Sequence, residues 1–241
     1  STRDADETVK KVLQFSKKHK IDGVMTIAND VPYTVARVAD ELHLPSISVK
    51  AATLFSDKLL MKEAFVKNGV ACPWFCDIEN IEQFEEIVQD RLKQKYVLKP
   101  VDGRGARGVL VIDENVDLPW AFNESMHYGE SGRLILEKFV EGVQLSTESF
   151  LFDGVCYTPS ISERNYLRFD QFKPNIIEDG GTIPAKLSID LLKKIDDFNY
   201  YDFQGSTWAP HLIHKDMWNK VGGFSEEFFP GTGSDPDLNM K

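Results

Sequence analysis

Along the first fifty residues, apolar positions recur with two different periods. Val9, Val12, Leu13 and Phe15 stand among lysines and glutamine, and this spacing predicts an amphipathic helix over residues 8–20. Residues 21–28 (IDGVMTIA) read as a short buried strand. Pro32 near a first turn, with Asp30 ahead of it as a cap, predicts a second helix over 31–42. Residues 44–48 read as another strand. Helix, strand, helix, strand indicates an α/β layer of parallel strands, a Rossmann-like half without a glycine fingerprint.

The period then changes. Ser56-Asp57-Lys58 precedes a predicted helix over 59–68, stopped by Gly69. Residues 71–78 read as extended, with Pro73 marking an edge or an entry point. Ile81, Phe84, Ile87, Val88 and Leu92 share one face of a helix. Residues 96–98 and 109–112 have the composition of buried strands, a helix is predicted over 118–128, and residues 134–140 form another strand carrying Glu137 and Lys138. Residues 144–152 and 155–162 form a hairpin at Asp153-Gly154, and residues 162–166 end it with a charged cluster. Beyond residue 188 a short charged helix is followed by crowded aromatics, from Tyr200 to Phe229.

The chemistry gathers at the turn between residues 98 and 109. Gly103, Gly105 and Gly108 alternate with Arg104 and Arg107, and Lys99 stands at the mouth. Such a loop turns backbone N–H groups inward around an anion, and an ammonium beside it meets a phosphate oxygen as a point charge. A β-hairpin with a flexible basic loop satisfies the same residues. Neither the Gly-Lys-Ser/Thr of a P-loop nor a strand-to-helix turn is present. Lys58, by position alone, is a solvated lysine in a first helical turn.

Composition narrows the classes. The 241 residues allow one large domain or two modest ones. A net charge of −10 speaks against broad nucleic-acid or anionic-membrane binding. There is no apolar run long enough for membrane insertion. Three cysteines, Cys72, Cys76 and Cys156, suit a reducing cytoplasm, and the Cys72/Cys76 spacing lacks a second ligand pair. The chain starts Ser-Thr-Arg and stops at Asn239-Met-Lys241, which implies a fragment cut inside domains at both ends.

Three segments in order, FSDKLLMKEAFVKNGVACP, YVLKPVDGRGARGV and LILEKFVEGVQLSTESFLFDG, resemble the ATP-grasp fold of carbamoyl-phosphate synthetase, biotin carboxylase and related carboxylate–amine ligases. The expected class is α/β (α+β). Residues 1–50 would end a pre-ATP-grasp domain, and residues 51–187 would form a truncated ATP-grasp domain. The resemblance implies ATP and Mg²⁺ as cofactors and a small-molecule carboxylate as substrate, activated as an acyl phosphate for attack by an amine. It assigns Lys58 and Lys99 to the ATP phosphates and Gly103, Gly105, Arg107 and Gly108 to a mobile loop above them. Glu137, Lys138, Phe139 and Val140 would meet the adenine edge, Gln144 the ribose, and Arg164 the substrate or a phosphate. The family's Mg²⁺-binding carboxylate and asparagine segment has no counterpart. Glu178-Asp179 lies too early, so a non-catalytic nucleotide-binding module is an alternative.

Residues 204–241 resemble instead the C-terminal part of a family 2, GT-A type glycosyltransferase, through Val221-Gly-Gly-Phe224 and Ser234-Asp-Pro-Asp237. That resemblance makes Asp235 the general base on an acceptor hydroxyl, with Asp237 second, and a saccharide-acting fragment the other alternative. An exposed acidic turn explains the same residues. His211 and His214 lie three apart without an evident third ligand. A fusion, or a tail that imitates glycosyltransferase sequence, accounts for the two resemblances.

Overall fold

The computed structural model describes residues 2, 4–26, 31–90, 94–152, 155–188 and 190–191, without the side chains of 148, 150–157 and 159. The expectations for Asp30, Leu92, Cys156 and residues 192–241, including Asp235, Asp237, His211 and His214, lie outside the described residues or side chains.

Two helices lead. Helix α1, Ala5–Ser16, starts where Asp4 accepts from the Glu7 N–H at 2.9 Å. Helix α2, Pro32–Glu41, has Pro32 in its first turn but no side-chain cap. Thr34 Oγ1 donates to the Thr2 carbonyl, and Arg37 pairs with Asp6 across the two helices. The strands expected over 21–28 and 44–48 do not form in residues 21–26 and 44–48. An apolar run becomes a strand only when a neighbour takes up its backbone N–H and C=O groups, and among the described residues neither run has one.

Ser48, read as the end of a strand, instead accepts from the Ala51 N–H and caps helix α3, Val49–Ser56, which the sequence reading missed. Asp57 closes α3 and opens helix α4, Lys58–Lys67, by accepting from the Leu60 N–H at 2.8 Å. Gly69 follows with φ of +71°, as its position after the last helical residues requires.

Strands β1 (Phe75–Ile78), β2 (Tyr96–Pro100), β3 (Leu110–Ile112) and β4 (Leu134–Lys138) form an antiparallel sheet in the order β1-β4-β2-β3. Helices α5 (Ile81–Asp90) and α6 (Leu118–His127) cover one face. There Phe84, Tyr96, Leu98, Leu110, Ile112, Leu134 and Leu136 make the main core with Ala121. Each such large side chain contributes roughly 1.5–3 kcal/mol by leaving water. The opposite face carries a smaller cluster, Leu59 of α4 with Val101 and Ile135. This division follows from the alternation of side chains along a strand.

The hairpin at 153–154 joins strands β5 (Gln144–Phe152) and β6 (Val155–Asn165), in a second sheet completed by β7 (Gly180–Thr182). Strand β6 extends three residues past the expected end because Glu163, Arg164 and Asn165 pair with β7. The register slips between Glu148 and Phe150. A short helix α7, Phe169–Phe172, precedes the 173–175 segment, where Val111 of β3 donates to the Pro174 carbonyl. Among the described residues no helix is long and apolar enough to cross a membrane.

Gly108 has φ of +68°, and a Cβ there would stand 3.0 Å from Tyr128 and 3.2 Å from the Ser125 backbone. Gly105 has φ of +64° but open space around it. Gly108→Ala should therefore cost about 2–4 kcal/mol and Gly105→Ala only about 1 kcal/mol. Urea denaturation of the two variants beside wild type measures the difference.

Candidate functional site

Strands β2 and β4 pair with Val97 opposite Glu137 and Lys99 opposite Ile135, which puts Lys99 and Glu137 on one face of the sheet. Lys62 reaches the same point from α4. Both ammoniums meet one carboxylate oxygen, Glu137 Oε2, Lys99 at 3.1 Å and Lys62 at 3.3 Å. The Glu137 side chain is 6% exposed. Burial pushes its carboxyl up, but Lys99 and Lys62 outweigh burial and hold it below the ordinary glutamate range. Its other oxygen, Oε1, is buried with no hydrogen-bond partner among the described residues. A buried carboxylate oxygen in that condition is an acceptor waiting for a donor.

Lys58 stands beside this group, one helical turn before Lys62 on α4. Its Nζ donates to the carbonyls of Pro100 at 3.1 Å, Val101 at 3.3 Å and Gly103 at 2.6 Å. These carbonyls open the glycine-rich loop. Burial, then the neighbouring Lys99 ammonium, lowers the Lys58 pKa to about 8, against the pull of Asp102 and Glu137. Three ammoniums thus crowd one end of the sheet against two carboxylates, Glu137 and Asp102. The surplus is positive, and half-buried positive surplus attracts an anion.

The loop itself is held at its base and exposed at its tip. Gly103 and Gly108 pack against Pro100, and the Gly108 carbonyl accepts from the buried Ser125 hydroxyl at 2.7 Å. Gly105, Ala106 and Arg107 are exposed. Arg107 bends back so that its Nε donates to the Arg104 carbonyl. The loop is a hairpin, and ammoniums gather at its mouth.

The ATP-grasp domain family matches residues 55–189, more than half of the chain. The chain belongs to the ATP-grasp family. It is 28% identical over 173 residues to the D-alanine–D-alanine ligase of Gloeobacter violaceus, covering 67% of this chain and 54% of that protein. The chain thus spans about half the length of that curated relative. Among solved structures it resembles the L-amino acid ligase of Bacillus licheniformis, with TM-score 0.61 and 20% identity over 80% of this chain and 45% of that one. It also resembles the ADP complex of the N5-carboxyaminoimidazole ribonucleotide synthetase purK, with TM-score 0.60 and 19% identity over 80% of this chain and 48% of that one. At such identity the structural likeness speaks for the fold.

Within this ATP-grasp fold, Lys58, Lys99 and the glycine loop lie together, and Glu137, expected at the adenine edge, lies with the lysines, its carboxylate held between Lys62 and Lys99. The N–H groups of Lys138 and Phe139 are spent on the Trp74 and Lys95 carbonyls, so a ligand at this segment meets carbonyls or the exposed Val140. Gln144 and Arg164 are register partners on the second sheet. Arg164 donates to Glu178 and Ser146, which is an ion pair and not an open substrate contact. Asp179 accepts from the Leu167 and Arg168 N–H groups, and these hold its carboxyl below the usual range. Glu178 and Asp179 are thereby engaged, and no described group of three His, Cys, Asp or Glu residues converges on a metal position. The residues described do not fit a Mg²⁺ site of their own. Cys72 and Cys76 carry no disulfide.

Sequence reasoning missed Lys62, Asp57, Asp102 and Arg133. Lys62 had a signal, since a residue four after Lys58 shares its helix face.

The Lys58 pKa, about 8 folded against 10.5 for an ordinary lysine, means that the unfolded chain holds more protons on this group between those two pH values. Wild-type stability relative to Lys58→Met should therefore rise as pH climbs from 8 towards 10.5. Urea titrations of both proteins across that window test the sign. Glu137→Gln strands two ammoniums beside a neutral amide and should cost about 3 kcal/mol in the same assay at neutral pH.

Proposed function

We propose that this chain carries the nucleotide-binding part of a ligase that uses ATP to activate a small-molecule carboxylate. The observation behind this reading is the buried surplus of ammoniums, Lys58, Lys62 and Lys99, at the base of the glycine loop. Lys58 and Lys99 would take phosphate oxygens. Gly103, Gly105, Arg107 and Gly108 would close above them, and Glu137 Oε1 would accept from a donor on the ligand. Lys138, Phe139 and Val140 would border the adenine, Gln144 the ribose, and Arg164 the acyl end of the substrate if it released Glu178.

The chemistry needs little covalent help. A carboxylate oxygen attacks the γ-phosphorus and ADP leaves with the electron pair. An amine then attacks the acyl carbon, phosphate departs, and the amine loses a proton. Family members use ATP with Mg²⁺, which would supply positive charge against the phosphates when bound; among the described residues the carboxylates do not converge on a position for it. The ammoniums would neutralise charge developing on the phosphate oxygens. The D-alanine–D-alanine ligase and L-amino acid ligase relatives support an amino acid as the carboxylate.

The engagement of Glu178 and Asp179 favours a second reading, a module that binds nucleotide without turnover. In either case we assign residues 1–50 to the end of a preceding α/β domain, 51–187 to the ATP-grasp portion and 188–241 to a glycosyltransferase-like segment. The cytoplasm, where ATP is abundant, is the proposed location.

Calorimetry with MgATP on the full chain tests the proposal. Saturable binding is expected, weakened about tenfold or more in Lys99→Ala by loss of a charge-assisted phosphate contact. Phosphate release that requires both a carboxylate and an amine would support the ligase. Binding without release across a carboxylate screen would leave the module, and no binding would remove both readings.

A further inference from the structure

We propose that Arg133 is a positioning residue for the phosphate-binding end of the site, acting through Asp57 and Val101 to seat Lys58. Three segments distant in sequence close a ring of hydrogen bonds here. The Lys58 N–H donates to the Val101 carbonyl at 3.0 Å, and the Val101 N–H donates to the Arg133 carbonyl at 3.0 Å. The Arg133 guanidinium then donates to Asp57 Oδ2 at 2.9 Å, and Asp57 is joined to Lys58 by the peptide bond. The other oxygen, Asp57 Oδ1, caps α4. Two residues before Arg133, the Ser131 N–H donates to Asp102 Oδ2 at 2.8 Å, so the 131–133 segment grips the loop at a second point.

The ring has a geometric consequence. A helix cap needs one carboxylate oxygen, which Asp57 supplies without Arg133. The bond to Arg133 adds orientation. It fixes the first turn of α4 against the start of the glycine loop, and the Lys58 side chain then reaches three carbonyls of that loop. The Arg133 side chain is 40% exposed, so the ion pair itself adds little to global stability. Its effect falls on where the Lys58 ammonium sits. The charged groups that act most strongly on that ammonium are Lys99, Asp102, Glu137 and Arg104. None of them belongs to the Asp57–Arg133 pair, so a change at Arg133 reaches Lys58 chiefly through position.

The role in nucleotide binding rests on the function proposed above, whereas the seating of Lys58 does not. The test therefore reads both. Lysine-labelled full-length protein is titrated by NMR without nucleotide, with Lys58→Arg assigning the signal. Arg133→Gln, Arg133→Lys and Asp57→Asn are compared with wild type, the last retaining a capping residue. In Arg133→Gln and Asp57→Asn the Lys58 titration should move up towards the ordinary lysine range, and MgATP should bind about three- to tenfold more weakly, the cost of a loosened ionic contact. Arg133→Lys should restore part of both, because a single donor to Asp57 suffices. A Lys58 titration that superimposes on wild type in both loss variants overturns the proposal, including when stability falls. A wild type that ignores MgATP removes the functional reading, and the Lys58 titration then judges the positioning role alone.

Discussion

A buried carboxylate can be kept ionised only by cations close to it, and here that constraint sets the whole end of the sheet. Glu137 is almost fully enclosed, yet Lys62 and Lys99 both contact it. Those contacts require α4 to lie across β2 and β4 at a fixed height. Leu59, Val101 and Ile135 supply the apolar contact that holds it there. The apolar packing and the charge cluster are thus one arrangement: the first brings the second together, and the second leaves a surplus of positive charge facing the loop.

Lys58 is the point where that surplus is least comfortable. It is largely buried, its described partners are backbone carbonyls, and the Lys99 ammonium lies nearby; burial first and that like charge second lower its pKa to about 8. An incoming anion relieves both problems, since it neutralises the repulsion and replaces weak dipoles with full negative charge. The glycine loop is suited to this exchange because its base is anchored by Ser125 and Pro100 contacts while its tip carries exposed Gly105, Ala106 and Arg107.

Much of the local structure was legible in the chain. The helices α1, α2, α4, α5 and α6 and the glycine hairpin follow from periodicity and from Asp57, Pro32 and Gly69 at the ends. The two expected strands that do not form share one cause. Residues 21–26 and 44–48 have strand composition, but a strand is defined by its neighbour, and no neighbour is there among the described residues. Helix α3 was missed because Ser48 reads equally as the end of an extended run and as a cap. Arg164 and Glu178 carried the right residue types for a site and turned out to satisfy each other.

By itself, then, the sequence carried the resemblance to the ATP-grasp family, which the match over residues 55–189 bears out, and the local pattern of a glycine hairpin with Lys99 at its mouth and Glu137 on a strand downstream. The hairpin is a property of local spacing, whereas the family rests on the resemblance of whole segments. Only the tertiary structure decided that Lys62 shares Glu137 with Lys99, that Lys58 turns onto loop carbonyls, and that Arg133 closes a ring with Asp57 across a separation of 76 residues. Contacts of that range depend on how a helix lies on a sheet, and side-chain spacing along a chain carries no record of it.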